Sequence, residues 1–259
     1  MDDVITDFLP PSRLYFEDLN AFSPPPSPLP RPFILWSNTD HNPDLNFHPK
    51  TLIVAISKPS CFFLHHVTCK TLIGTVVLPE ISVSGKTLDP SHSDNSCNIF
   101  KVDSSPETFL LLIQYTVCAD RASALAKLVF DEIKPEKTLI FGSIQSCNYR
   151  GTLPVDETLV FKLETSKQRD CKDEGDALGF VKDLSYFPSG NLIDGVGAAL
   201  LAKCQIRWRK GILLVSWPEY GGSIVSLLKS FMLNVSKELD CDIDGETLKN
   251  SHSDSELYS

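Results

Sequence analysis

Residues 109–115 read Phe-Leu-Leu-Leu-Ile-Gln-Tyr, an apolar run of strand length with almost no polar face. A strand that must be hidden on both sides calls for a sheet covered by helices, not a sheet with one wet face. The next residues agree. Ala119 to Ile133 spaces Leu125, Leu128, Val129 and Ile133 at helical intervals, with Asp120 as the expected N-cap and Lys134-Pro135 as the stop. Thr138 to Gly142 reads as a second buried strand. Strand, helix, strand at this length predicts a βαβ unit with a right-handed crossover.

The rest of the chain extends this pattern. Phe33 to Trp36, Thr51 to Ile56, Leu72 to Leu78 and Thr158 to Leu163 read as strands, rich in β-branched and aliphatic residues. Phe62 to Val67 is apolar with two histidines, and Gly85 to Asn95 is a polar, turn-rich surface loop. Lys162 to Asp176 is charge-dense without apolar period and is expected to be a mobile insertion. Asn191 to Cys204 reads as a helix whose small residues permit close packing on a sheet, and Gly211 to Trp217 as a third buried strand, ended by Pro218. Gly221-Gly222-Ser223 opens a last helix, with Ile224, Leu227, Leu228, Phe231, Leu233 and Val235 as its apolar face. Strands alternating with helices predict an α/β fold, a three-layer α/β/α sandwich with a mostly parallel sheet.

Both ends differ from this body. Residues 1–32 include Pro24-Pro25-Pro26-Ser27-Pro28-Leu29-Pro30-Arg31-Pro32, which suits neither helix nor central strand. They form a proline-rich leader, expected to be extended or disordered: a stiff spacer, or, through the Pro25-to-Pro28 P-x-x-P spacing, a ligand for an aromatic groove. Residues 33–240 are the α/β domain, and residues 241–259 a flexible tail too polar to fold alone.

Net charge is −9 and the pI about 5.1, so no basic stripe is available to neutralise nucleic-acid phosphates. No apolar run reaches the roughly 18 residues of a membrane span. No signal peptide is expected, since Met1-Asp2-Asp3 starts acidic and no apolar region comes after it. The cysteines Cys61, Cys69, Cys97, Cys118, Cys147, Cys171, Cys204 and Cys241 are scattered without a C-x-x-C pair. They read as reduced thiols, several of them in the core, and no metal spacing is present.

Catalytic signatures are missing: no G-x-S-x-G elbow, no P-loop, no H-E-x-x-H. Gly195-x-Gly197 lacks the third glycine of a dinucleotide fingerprint and is better explained by packing. Gly221-Gly222-Ser223 could hold an anion, though a plain helix start accounts for it. Cys147 with His65 or His66 could form a nucleophile and base, against a core thiol and half-buried histidines. No catalytic residue, cofactor or metal is assigned.

The terminal Leu257-Tyr258-Ser259 is a different kind of feature. One aliphatic and one aromatic residue beside a free carboxylate, on a solvated tether, make a plug for a socket with a cationic group. A tether raises the local concentration of such a plug to roughly millimolar, so a weak plug adds avidity to a body that already docks.

Three blocks, in order, resemble the proteasome assembly chaperone family, nearest to the plant form of the first-subunit branch. They are the βαβ from Phe109 to Ile144, the helix Asn191 to Gln205, and Gly211-Ile212-Leu213-Leu214-Val215. The second is similar to the family's partner-facing helix followed by Cys-Gln. Leu257-Tyr258-Ser259 matches its hydrophobic-Tyr-any ending. The resemblance implies a non-enzymatic chaperone that pairs with a second, related subunit and sits on the forming ring of 20S proteasome α subunits. Leu257, Tyr258 and Ser259 would enter a pocket between α subunits. It places the protein in the cytoplasm, with the nucleus as an alternative. Two other readings stay open: an α/β enzyme, such as a small hydrolase or nucleoside-processing protein, and a proline-rich interaction scaffold.

Overall fold

In the computed structural model, the strand expected at residue 109 is the fifth of eight that form one sheet among the described residues. These are β1 (Phe33–Trp36), β2 (Thr51–Ala55), β3 (Lys70–Val77), β4 (Cys97–Val102), β5 (Thr108–Ile113), β6 (Lys137–Ser143), β7 (Leu159–Glu164) and β8 (Lys210–Trp217). The α-helices are α1 (Lys58–His65), α2 (Ala119–Glu132), α3 (Ser166–Asp170) and α4 (Gly195–Ile206), with one 3-10 turn at Ser146–Asn148. The described residues are 29–37, 48–67, 69–82, 91, 94–154, 157–171, 181 and 183–218. The chain divides into two compact units, Met1–Pro30 and Arg31–Ser259, and the second carries every one of these strands and helices. Most of the leader and of the 85–95 loop, the helix expected from Gly221 and the tail lie outside the described residues.

The sheet order is β1-β3-β4-β5-β2-β6-β8-β7. Its centre, β5-β2-β6-β8, is parallel. Both flanks are antiparallel: β1-β3-β4-β5 on one side and β8-β7 on the other. The α/β class therefore holds, but the sheet is mixed rather than mostly parallel. Apolar runs identify buried strands; they carry no information on direction, which is set by whether a helix or a short turn returns the chain. The βαβ unit is also wider than adjacent pairing would make it. From β5 the chain passes through α2 to β6, and β2 lies between the two strands.

β2 shows why the centre is dry on both faces. Leu52 and Val54 join one apolar cluster with Leu125 and Val129 of α2 and Leu200 of α4. Ile53 and Ala55 join another with Phe63 and Leu64 of α1. Alternate residues thus meet helices on opposite sides, as the period of two requires. All six residues of β5 are buried.

Several local expectations change. α2 is capped by Cys118, and Asp120 sits in its first turn instead, where a carboxylate still favours the positive helix end. α1 occupies a stretch whose sequence shows only apolar residues and two histidines. Its N-cap is Ser57, whose hydroxyl accepts from the Ser60 amide at 3.4 Å, and Pro59 stands in the first turn. The proline that would break a strand here supports a helix start. The Lys70 ammonium donates to the His65 and Val67 carbonyls at the other end. β4 is an addition to the expected strands, because Asn98 and Lys101 interrupt its apolar residues. Asn98 is nonetheless buried, accepting from the Thr75 hydroxyl at 3.0 Å and donating to Ser96 Oγ at 2.9 Å. The first part of the expected mobile insertion is ordered as the end of β7 and α3. Lys162 is buried there, with its ammonium donating to the Val181 carbonyl at 2.6 Å.

Candidate partner-binding surface

α4 begins where Gly195 adopts φ +63°, a left-handed conformation that favours glycine. Gly197, further into the first turn, faces Leu213 of β8, and a Cβ there would meet the Leu213 side chain at 3.4 Å. Turn geometry and packing therefore account for both glycines of the Gly195-x-Gly197 pair. Neither stands in a strand-to-helix turn of the dinucleotide-binding kind, since α4 precedes β8 and is entered from a loop.

Val196, Gly197, Leu200 and Cys204 form the buried side of α4. At its C-terminal end the approach to the sheet is close: a Cβ on Gly211 of β8 would lie 2.9 Å from Cys204 Cβ. Thr165 locks this corner. Its hydroxyl donates to the Arg209 carbonyl at 3.0 Å and accepts from the Gly211 amide at 3.0 Å and the Gln168 amide at 3.3 Å. Arg207, the C-cap residue, donates to the Phe130 carbonyl and to Asp131 of α2, joining the two helix ends.

On the opposite side of α4, among the described residues, Asp194, Ala202 and Gln205 are exposed and Ala198 and Leu201 half-buried. Asp194, Ala198, Leu201, Ala202 and Gln205 recur at helical spacing along one stripe. Beside it runs a groove of about 360 Å³ between α4, β7 and the 187–193 loop. Its apolar lining is Leu163, Phe187, Ile193, Ala198, Leu201, Ala202 and Leu213. The rim is polar and internally bonded: Gln205 Oε1 accepts from the Ser166 amide at 2.8 Å. The Tyr186 hydroxyl donates to Glu164 at 2.6 Å, and that bond raises its pKa. Large apolar groups extend the patch, with Leu192 59%, Trp208 55% and Ile206 76% exposed. An apolar floor inside a polar rim is the anatomy of a protein interface. The residues of the helix, taken by themselves, suggest only close packing on the sheet. The signal that points further is that its twelve residues contain a single charge, Lys203. A helix apolar all round is usually covered all round.

The other candidate residues do not assemble. Cys147 lies in the 3-10 turn after β6, its thiol 3.9 Å from Gln145 Oε1. His65 and His66 stand at the far end of α1, with His66 Nδ1 2.8 Å from the Phe62 carbonyl. α1 starts at the carboxyl end of β2, where the Ser60 hydroxyl donates to the Phe141 carbonyl at 3.4 Å. Its eight residues carry the histidines about 12 Å away from that end. Burial pushes the Cys204 thiol up to about 11 and Cys61 up to about 12, so both stay protonated core groups. Among the described residues no group of His, Cys, Asp and Glu could hold a metal ion. Leu257, Tyr258 and Ser259 lie outside the described residues, as does Gly221-Gly222-Ser223.

No protein-family model and no curated protein matches the chain. Solved structures do. PbaA of Pyrococcus furiosus, an archaeal homolog of proteasome-assembly chaperone, is similar with a TM-score of 0.60 at 12% identity, over 88% of this chain and 90% of that one. PbaB of the same organism, an archaeal proteasome activator, gives 0.55 at 15% identity over 88% and 96%. A protein of unknown function from Thermoplasma acidophilum gives 0.57 at 11% identity over 82% and 88%. Over most of its length the chain thus shares the overall fold of these archaeal structures.

Proposed function

We propose that this chain is a proteasome assembly chaperone subunit, a binding protein rather than an enzyme, acting in the cytoplasm with the nucleus as an alternative. It pairs with a second subunit of related fold, and the pair promotes assembly of the 20S α ring. Leu257, Tyr258 and Ser259 dock in a pocket between α subunits. Leu257 and Tyr258 supply buried apolar area, and the Ser259 carboxylate pairs with a cationic group. The observation that carries the reading is the outer stripe of α4. It is an apolar surface on a rigid element, fit to hold another protein, on a fold shared with archaeal proteasome-assembly proteins. The core sandwich is read as three-layered, with α2 and α4 on one side of the sheet and α1 on the other.

The test is capture of purified proteasome α subunits by the intact chain and by a chain lacking 257–259. The deletion is expected to weaken capture at least about tenfold while leaving thermal unfolding unchanged, since a tethered plug contributes through avidity alone. Equal capture by both chains would refute tail docking. Tyr258→Ala separates the ring's contribution from that of the carboxylate.

A further inference from the structure

We infer that Trp208, in the turn by which the chain leaves α4, anchors an acidic peptide segment of a partner protein, with Arg209 pairing a carboxylate beside it. The site goes beyond the function proposed above: it needs neither the outer stripe of α4 nor the C-terminal tail.

The turn is an unusual one for its residues. The Arg209 amide donates to the Cys204 carbonyl at 2.8 Å and the Trp208 amide to the Gln205 carbonyl at 3.2 Å, the two bonds of a Schellman helix end. Between them Trp208 is left-handed, with φ +51°. Glycine is the usual occupant of that position, because it has no Cβ to strain. A bulky aromatic residue there is an outlier. The turn is held against the strain from both sides. The Thr165 hydroxyl donates to the Arg209 carbonyl at 3.0 Å, and Arg207 is fastened to the Phe130 carbonyl and to Asp131. Strain that the surroundings hold in place points to a use for the residue.

That use lies outside the fold. Of the three tryptophans, Trp36 and Trp217 pack against the core, and Trp217 donates its indole N–H to the Pro154 carbonyl at 2.7 Å. Trp208 is 55% exposed, and among the described residues its indole N–H bonds nothing. Ile206, two residues earlier, is 76% exposed. A tryptophan with a large apolar face and a spare donor is the commonest kind of interface anchor.

Charge indicates what meets it. The chain carries −9 overall, yet from Gly195 to Pro218 it has four cations, Lys203, Arg207, Arg209 and Lys210, and no acid. Arg207 and Lys203 already serve Asp131: the Arg207 hydrogen bond, aided by the Lys203 charge, holds that carboxyl below its ordinary value. Arg209 lies past the helix end and is half-buried, and among the described residues its guanidinium bonds no acid. A carboxylate next to an apolar side chain satisfies both neighbours at once. Nucleic acid or an anionic membrane fits less well, because an extended polyanion meets the repulsive field of the whole chain. A short peptide meets the local cations within a Debye length.

The experiment is fluorescence anisotropy of a labelled peptide of glutamates around one central leucine, titrated with the full chain to about 300 μM, a range that resolves weak micromolar binding. Binding is expected, and raising the salt from about 50 to about 300 mM should weaken it at least about threefold. Trp208→Gly is expected to weaken it at least about tenfold. The same variant should hold or raise the melting temperature, because glycine relieves the left-handed strain. Arg209→Gln should cost about threefold in affinity with unchanged unfolding. Absence of binding at the highest concentration overturns the inference, as does a Trp208→Gly chain that binds like the wild type. So does tighter binding of a single-stranded oligonucleotide or of phosphatidylserine vesicles than of the peptide. A Trp208→Gly melting temperature lowered by more than about 5 °C would show that the ring serves the fold instead. The chain lacking 257–259 should bind the peptide like the wild type, so failure here and failure of tail docking are distinguishable.

Discussion

α2 and α4 lie side by side on the same face of the sheet, yet their sequences divide their surfaces in opposite ways. α2 buries Ala122, Leu125, Ala126, Val129 and Phe130 and turns Asp120, Lys127, Asp131 and Glu132 outward. Its inward side is fully used and its outward side is at ease in water. α4 buries Val196, Gly197, Leu200 and Cys204 but keeps Ala198, Leu201 and Ala202 on its open side. The outer side of the first helix is charged, whereas on the second, among the described residues, Ala202 stays exposed and Ala198 and Leu201 half-buried. Two helices in one layer can thus carry different duties, one stabilising the fold and the other offering a surface.

Truncating each helix in turn puts this contrast under the greatest strain. Phe130→Ala in α2 removes a side chain that is 1% exposed. Unfolding in urea should show a loss of about 3–5 kcal/mol from transfer and cavity terms. Leu201→Ala in α4 removes half-buried surface and should cost the isolated chain about 1 kcal/mol. Equal losses would mean that α4's stripe is as deeply used as α2's.

The next largest effect is at the seam between α4 and the sheet. Gly211→Ala pushes a methyl to 2.9 Å from Cys204 Cβ and 3.1 Å from Thr165 Cγ2, and neither is the loose end of a long side chain. Overpacking of this kind costs about 1–3 kcal/mol, read as a lowered melting temperature. It should also disturb α4 more than α2, which hydrogen exchange resolves helix by helix.

The smallest effect concerns the clasp on α2. The Arg121 guanidinium bonds both oxygens of Glu80, with Nε 2.5 Å from Oε1, in a pair 10% and 23% exposed. Desolvation pushes the Glu80 carboxyl up, but the hydrogen bond and charge of Arg121 outweigh it and hold the carboxyl below its ordinary value. A carboxyl depressed in the folded state adds stability above its unfolded pKa, about 4.3, and loses it as pH falls through the folded value. Glu80→Gln should therefore lower the urea midpoint at pH 7 and converge with the wild type as the pH drops below about 4. A difference that persists in acid would show that the clasp acts through shape rather than charge.

Much of the body was legible in the residues. The run at 109–113, the helix at 119–132, and the strands at 137–143 and 210–217 announce themselves through unbroken apolar content or helical spacing, because burial on both faces leaves no polar alternative. α1 is hidden in the sequence because Pro59 and two phenylalanines resemble a broken strand, and only Ser57's cap and Lys70's bonds to the C-terminal carbonyls close the helix. β4 is hidden because Asn98 is polar and buried, a choice that depends on Thr75 arriving from β3 as well as on the neighbouring Ser96.

Local chemistry was enough to mark the dry segments and to assign them to an α/β body, since apolar area and spacing are properties of neighbouring residues. Strand direction needed the assembled sheet: β2 slips between β5 and β6, and antiparallel flanks close both sides. So did the identity of the open side of α4. The residues of that helix are apolar on every side, and the positions of β8 and α2 determine which sides are covered.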